Sequence, residues 1–116
     1  SQEKYKRAGV TVKKIADGPA GIRQALKYLA KKGVQSVFVE GGSRIHGLFI
    51  DTALKSKNIV DGLLFYISPK IIGGSKSLPV VGGTGALKLS GALKAEKLSV
   101  SSSGEDFKVE GVVNSY

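Results

Sequence analysis

The residues best placed to do chemistry are Ser36-Val37-Phe38-Val39-Glu40-Gly41-Gly42-Ser43-Arg44-Ile45-His46-Gly47. A short apolar run of strand character enters a paired glycine, and a helical pattern starts at Ser43. Strand, glycine turn and helix N-terminus in that order present backbone amides to an anion. Glycine lets the main chain approach a phosphate closely, and the first free N–H groups of the helix point at it. The same pair also suits a tight strand-to-helix turn with no ligand. Glu40 stands at the mouth of the turn, so a ligand there would meet an anion cradle and a carboxylate together.

Other polar residues are less telling. Ser43 is placed to cap the helix and also to touch a phosphate. Arg44 is either a phosphate partner or a surface cation. His46 has no visible partner in the pattern and reads as a structural or surface histidine. Lys70, after Pro69, is either a partner for a ligand phosphate or, the favoured reading, an ordinary surface lysine. Gly82-Gly83-Thr84-Gly85 is either a mobile loop beside a ligand or a set of turn glycines. Cysteine is absent and histidine occurs once, which excludes a thiolate nucleophile and a cysteine metal site. No metal site is expected.

The elements that position these residues alternate. Residues 10–15 alternate weakly, as in a short strand. Asp17-Gly18-Pro19 signals a helix start, Ile22, Ala25, Leu26 and Leu29 continue at helical spacing, and Gly33 ends the helix. Residues 34–39 are apolar enough for a central strand. A second helix spans residues 43–54, with Ile45, Leu48, Phe49 and Thr52 as its inner stripe. Residues 60–67 form the next strand. This β-α-β-α-β order implies parallel strands with helical crossovers. A long irregular segment rich in glycine and proline occupies residues 69–85. Residues 95–102 and 106–113 alternate around Ser103-Gly104-Glu105, as in an antiparallel hairpin.

At 116 residues the chain is one domain at most, with a modest core. No apolar run approaches the ~20 residues of a membrane helix. The lack of cysteine and of a signal-peptide pattern fits a cytoplasmic protein. The absence of methionine suggests a piece cut from a longer chain. The formal charge is +9, from 18 lysines and arginines against 9 acids. That balance attracts polyanions, but the cations are spread along the chain and arginine is scarce. A solvated surface that steers a phosphorylated small molecule is the favoured reading. A nucleic-acid-binding module is the alternative from a different class.

The sequence Val39-Glu40-Gly41-Gly42-Ser43, then Val60-Asp61-Gly62-Leu63-Leu64-Phe65-Tyr66-Ile67-Ser68-Pro69-Lys70-Ile71-Ile72-Gly73-Gly74, resembles the reductase domain of bifunctional riboflavin-biosynthesis deaminase–reductases. Gly104-Glu105-Asp106-Phe107-Lys108-Val109 resembles the last hairpin of that family. The resemblance covers residues 34–113. It implies a dihydrofolate reductase-like α/β fold: a mixed sheet with parallel central strands, flanking helices and a C-terminal antiparallel hairpin. It implies an enzyme that uses NADPH to reduce the ribosyl group of 5-amino-6-(5-phosphoribosylamino)uracil to ribityl. Gly41, Gly42, Ser43 and Arg44 would then hold the cofactor and Glu40 the substrate ribose, with the proton donor unassigned. The expected partners are the phosphorylated substrate and further copies of the chain; no membrane is expected.

Two departures from the family stand out. Gly62 replaces a glutamate common there. Residues 1–116 correspond to the C-terminal portion of the reductase domain, without its first strands or the zinc-dependent deaminase domain. A second enzymatic alternative is a dihydrofolate reductase-like reductase of a pterin-like substrate.

Overall fold

The computed structural model describes residues 2–113. Three α-helices, α1 (Gln2–Arg7), α2 (Gly18–Lys31) and α3 (Ser43–Ala53), precede three strands, β1 (Gly62–Ile67), β2 (Ala95–Ser103) and β3 (Asp106–Val113). A single 3-10 turn, Leu89–Gly91, interrupts the long connection between β1 and β2.

Helix α2 forms where the sequence signals it. Pro19 sits in the first turn, where its missing N–H costs nothing. At the other end Gly33 adopts φ +84°. Its N–H donates to the Ala30 carbonyl at 3.0 Å, and the Val34 N–H donates to that of Leu29 at 3.1 Å. This is the paired closure that needs a left-handed residue after the helix. Helix α2 packs on α3, and Ile22 is buried. Thr52 of α3 is fully buried, and its hydroxyl donates to the Leu48 carbonyl at 2.7 Å.

The sheet has the order β1-β3-β2, antiparallel throughout. Gly104, at φ +62°, turns the hairpin between the Ser103↔Asp106 pair. A bulge between Glu96 and Ser99 places Lys97 at φ +50°. Gly111 leaves the space that Leu98 and Ala95 fill: a Cβ there would lie 2.7 Å from Leu98 Cδ2. Phe65, Val109 and Val100 stand opposite one another across the three strands. Between this face and the end of α3, Ile50 and the C-cap residue Leu54 line a cavity of ≈ 260 Å³ together with Leu63, Phe65 and Val113.

The α/β class and the hairpin agree with the sequence reading. The parallel centre does not form among the described residues. Residues 34–39 run without a ladder partner, and so do residues 10–15. β1 pairs antiparallel with β3 instead. A continuous apolar run earns a central position only when both its faces are covered. Here Val34, Val37 and Phe38 are exposed, so the pattern is present and its covering layers are not.

The whole molecule is correspondingly open. Its radius of gyration is 16.5 Å, against about 13.4 Å for a compact domain of this length. Its accessible surface is 9530 Å², where a compact monomer of 12.1 kDa exposes roughly 6,000 Å².

Stability should therefore depend on few side chains. Ile22→Ala should cost ~2–5 kcal/mol, whereas Ile71→Ala, at a residue 99% exposed, should stay within about 0.5 kcal/mol. Urea unfolding of both variants checks this; equal losses would contradict the placement of the core.

Candidate functional site

Helix α3 begins one residue earlier than a serine cap would place it. Gly42 is the N-cap, extended at φ −76° and ψ 179°, and Ser43 is the first helical residue. The Gly42 carbonyl accepts from Ile45 N–H at 2.9 Å and from His46 N–H at 3.1 Å. The cap makes no side-chain hydrogen bond, so the amides of Ser43 and Arg44 head the helix and donate to no described residue.

The two glycines of the pair differ. A Cβ on Gly41 would lie 2.6 Å from Ile45 Cβ, so packing alone demands glycine there. A Cβ on Gly42 would meet nothing within 4 Å, and its backbone angles suit any residue. Packing and backbone angles do not demand a glycine at position 42. As N-cap it is among the residues favoured there, and the open space beside it leaves room for close approach to the backbone.

One face of α3 holds a second segment against this turn. The Ser43 carbonyl accepts from Gly82 N–H at 3.0 Å. The two ring nitrogens of His46 face the carbonyls of Val80 and Val39, each at 3.3 Å. Gly47 lies so near the backbone of Gly82 and Gly83 that a Cβ would overlap it. One turn further on, the Asp51 carboxylate accepts from Thr84 N–H and Gly85 N–H, each at 2.8 Å. Gly83 and Gly85 have φ of +85° and +69°, a region that β-carbon-bearing residues rarely enter.

Between helix and segment lies a cleft of ≈ 520 Å³, with Gly42, Ser43 and Arg44 on one side and Leu78, Pro79 and Gly82 on the other. The expected cofactor residues Gly42, Ser43 and Arg44 are thus brought together, while Gly41 packs against Ile45 and does not line the cleft. Glu40 is exposed immediately upstream and does not line the cleft. Lys70 is exposed on the segment after β1. The His46 ring lies between two backbone carbonyls, a structural position. The 82–85 glycines are anchored to α3.

Asp51 escaped sequence reasoning. The available signal was an acid four residues after Gly47, hence on nearly the same helical face, with a run of otherwise unsatisfied loop amides to come. Those amides, Thr84 first and Gly85 second, hold the Asp51 carboxyl below its ordinary value, and the Lys55 charge acts in the same direction.

Residues 1–109 match the family model described as RibD C-terminal domain. The chain is similar to "Riboflavin biosynthesis protein RibD" of Bacillus amyloliquefaciens, 36% identical over 67 residues, which are 58% of this chain and 17% of that protein. The protein of that name from Chlamydia muridarum (strain MoPn / Nigg) is 33% identical over 75 residues, 65% of this chain and 19% of its own length. The matched stretch thus spans less than a fifth of these curated relatives.

The depressed Asp51 value sets a pH dependence. Its stabilisation is complete above the unfolded value, ordinarily 3.8, and is lost as pH falls through the lower folded value. The difference in unfolding free energy between wild type and Asp51→Asn should be constant above about pH 5 and shrink below about pH 4. A difference that keeps its neutral-pH size down to about pH 2 would show that the carboxylate is not the anchor.

Proposed function

Since the chain belongs to the RibD C-terminal domain family, we propose that it is the C-terminal part of an NADPH-dependent reductase of riboflavin biosynthesis. The substrate in this reading is 5-amino-6-(5-phosphoribosylamino)uracil, whose ribosyl group becomes ribityl. The observation that carries it is Gly42, the N-cap at the head of a helix with free amides, beside open space that no side chain fills. A side chain there would fill the space a pyrophosphate needs, so the residues present fit the cofactor. When bound, NADPH supplies the hydride for the C1 carbon of the ribosyl group.

The chain's own residues bind and orient. The Ser43 and Arg44 amides, at the positive end of the α3 dipole, attract the phosphate oxygens. Arg44 adds a planar guanidinium suited to two phosphate oxygens at once. The +9 charge raises the local concentration of anionic ligands before contact. Glu40 precedes the cradle, where a carboxylate under the pyrophosphate would repel it. Its fitting partner is a ribose hydroxyl, for which an ionised carboxylate is a strong acceptor.

Self-association is part of the same proposal. The surface beyond that of a compact monomer, the outer edges of β1 and β2, and the exposed Ile67, Phe107 and Val100 all favour cover by a second copy. Sedimentation should show a dimer or larger; a monomer at the highest soluble concentration would remove this part.

Two substitutions in the full-length protein separate the two roles. Gly42→Val should weaken NADPH binding far more than it lowers the thermal midpoint, because its side chain enters open space and only the N-cap preference is lost. Glu40→Gln should spare NADPH binding and lower kcat/KM for the ribosylaminouracil phosphate, by about 10- to 150-fold for ~1.5–3 kcal/mol of lost charge-assisted contact. NADPH titration with steady-state kinetics measures both. A folded Gly42→Val with wild-type affinity rejects the cradle. A Glu40→Gln that loses cofactor affinity but keeps kcat/KM moves Glu40 to the cofactor site.

A further inference from the structure

The cleft has one firm wall and one soft one. The first turn of α3 is helical, while the facing segment carries glycine at 82, 83 and 85 and lies outside any helix or strand. Such a segment has few side chains to pack and loses the most chain entropy on ordering. Its position must come from the bonds that tie it to α3. Ser43 and His46 supply single contacts of 3.0 and 3.3 Å near its upstream end. Asp51 supplies two at 2.8 Å at its downstream end, and hydrogen bonds to a charged acceptor are about twice as strong as neutral ones. Gly83 rests directly on this carboxylate: a Cβ there would lie 2.7 Å from Asp51 Oδ2.

We propose that Asp51 is a positioning residue for cofactor binding: by holding the Thr84 and Gly85 amides it fixes the Gly82–Gly83 wall, and so sets the width of the cleft that receives the pyrophosphate. The inference rests on the reading of this cleft as the NADPH site. Asp51 itself does not line the cleft, so it acts through the wall and not on the ligand. Both carboxylate oxygens are needed, because two N–H donors converge on them. Asparagine offers one carbonyl oxygen and one NH₂ group, which would set a donor against a donor. Glutamate keeps both acceptors on a stem one methylene longer.

The experiment uses the full-length protein as wild type, Asp51→Asn and Asp51→Glu. It measures NADPH dissociation constants by fluorescence, kcat and both KM values, and hydrogen exchange of the segment containing Thr84 and Gly85. In Asp51→Asn, exchange at Thr84 and Gly85 should quicken, and the NADPH dissociation constant and KM should rise about tenfold. Its kcat and its KM for the ribosylaminouracil phosphate should stay within about threefold, a split that a general loss of folded protein does not produce. Asp51→Glu should fall between Asp51→Asn and wild type.

Faster exchange with unchanged NADPH affinity overturns the inference, and so does a uniform fall in kcat with no change in KM for NADPH. If Asp51→Asn does not fold, Asp51→Glu decides by the same two criteria. A wild type that binds no NADPH overturns the functional reading itself, an outcome visible before any variant is compared.

Discussion

The close approach of one face of α3 to the backbone of residues 80–85 is the contact on which the candidate site depends. It requires Gly47, because a side chain there would enter the Gly82 and Gly83 main chain. It requires acceptors for amides that no strand pairs, and Asp51 meets that need for Thr84 and Gly85. Without it there would be a helix N-terminus open to water on all sides. With it the first turn of α3 faces a wall, and its leading amides lie in a cleft where an anion is shielded from solvent on one flank.

The helix borders two features. Ile50 and the C-cap Leu54 line a cavity shared with Leu63, Phe65 and Val113 of the sheet, while Ser43, His46, Gly47 and Asp51 face the 80–85 segment. Helix α3 is held by its packing on α2, lines a cavity shared with the sheet, and presents its N-terminal half to the segment. The extended approach to the helix is tied in as well, because His46 reaches the Val39 carbonyl just before Glu40. Glu40 and Gly42 are thus held on the same helix end although no strand ladder supports residues 34–39.

Much of this was legible in the residues. Pro19 and Gly33 bracket α2 by their backbone preferences alone, and Gly104 marks the hairpin by its turn chemistry. Glu40-Gly41-Gly42-Ser43 marked the helix N-terminus, although the cap fell on Gly42 and not on Ser43. The parallel centre was not legible, because an apolar run such as Val37-Phe38-Val39 reports a need for cover without saying what supplies it. The roles of Gly41 and Gly42 could not be separated from sequence either, since only Ile45's position distinguishes them. Asp51 was missed because its partners are backbone amides 33 and 34 positions away, which carry no side-chain signature.

The central claim is that the head of α3 receives the phosphates of a dinucleotide. Backbone amide chemical shifts of the full-length protein, followed during NADPH titration, test it most directly. The largest and saturable changes should fall on Gly42, Ser43 and Arg44, with smaller ones at Gly82 and Gly83 across the cleft and little along β2. Saturable changes concentrated elsewhere, with Ser43 and Arg44 unmoved, would contradict it.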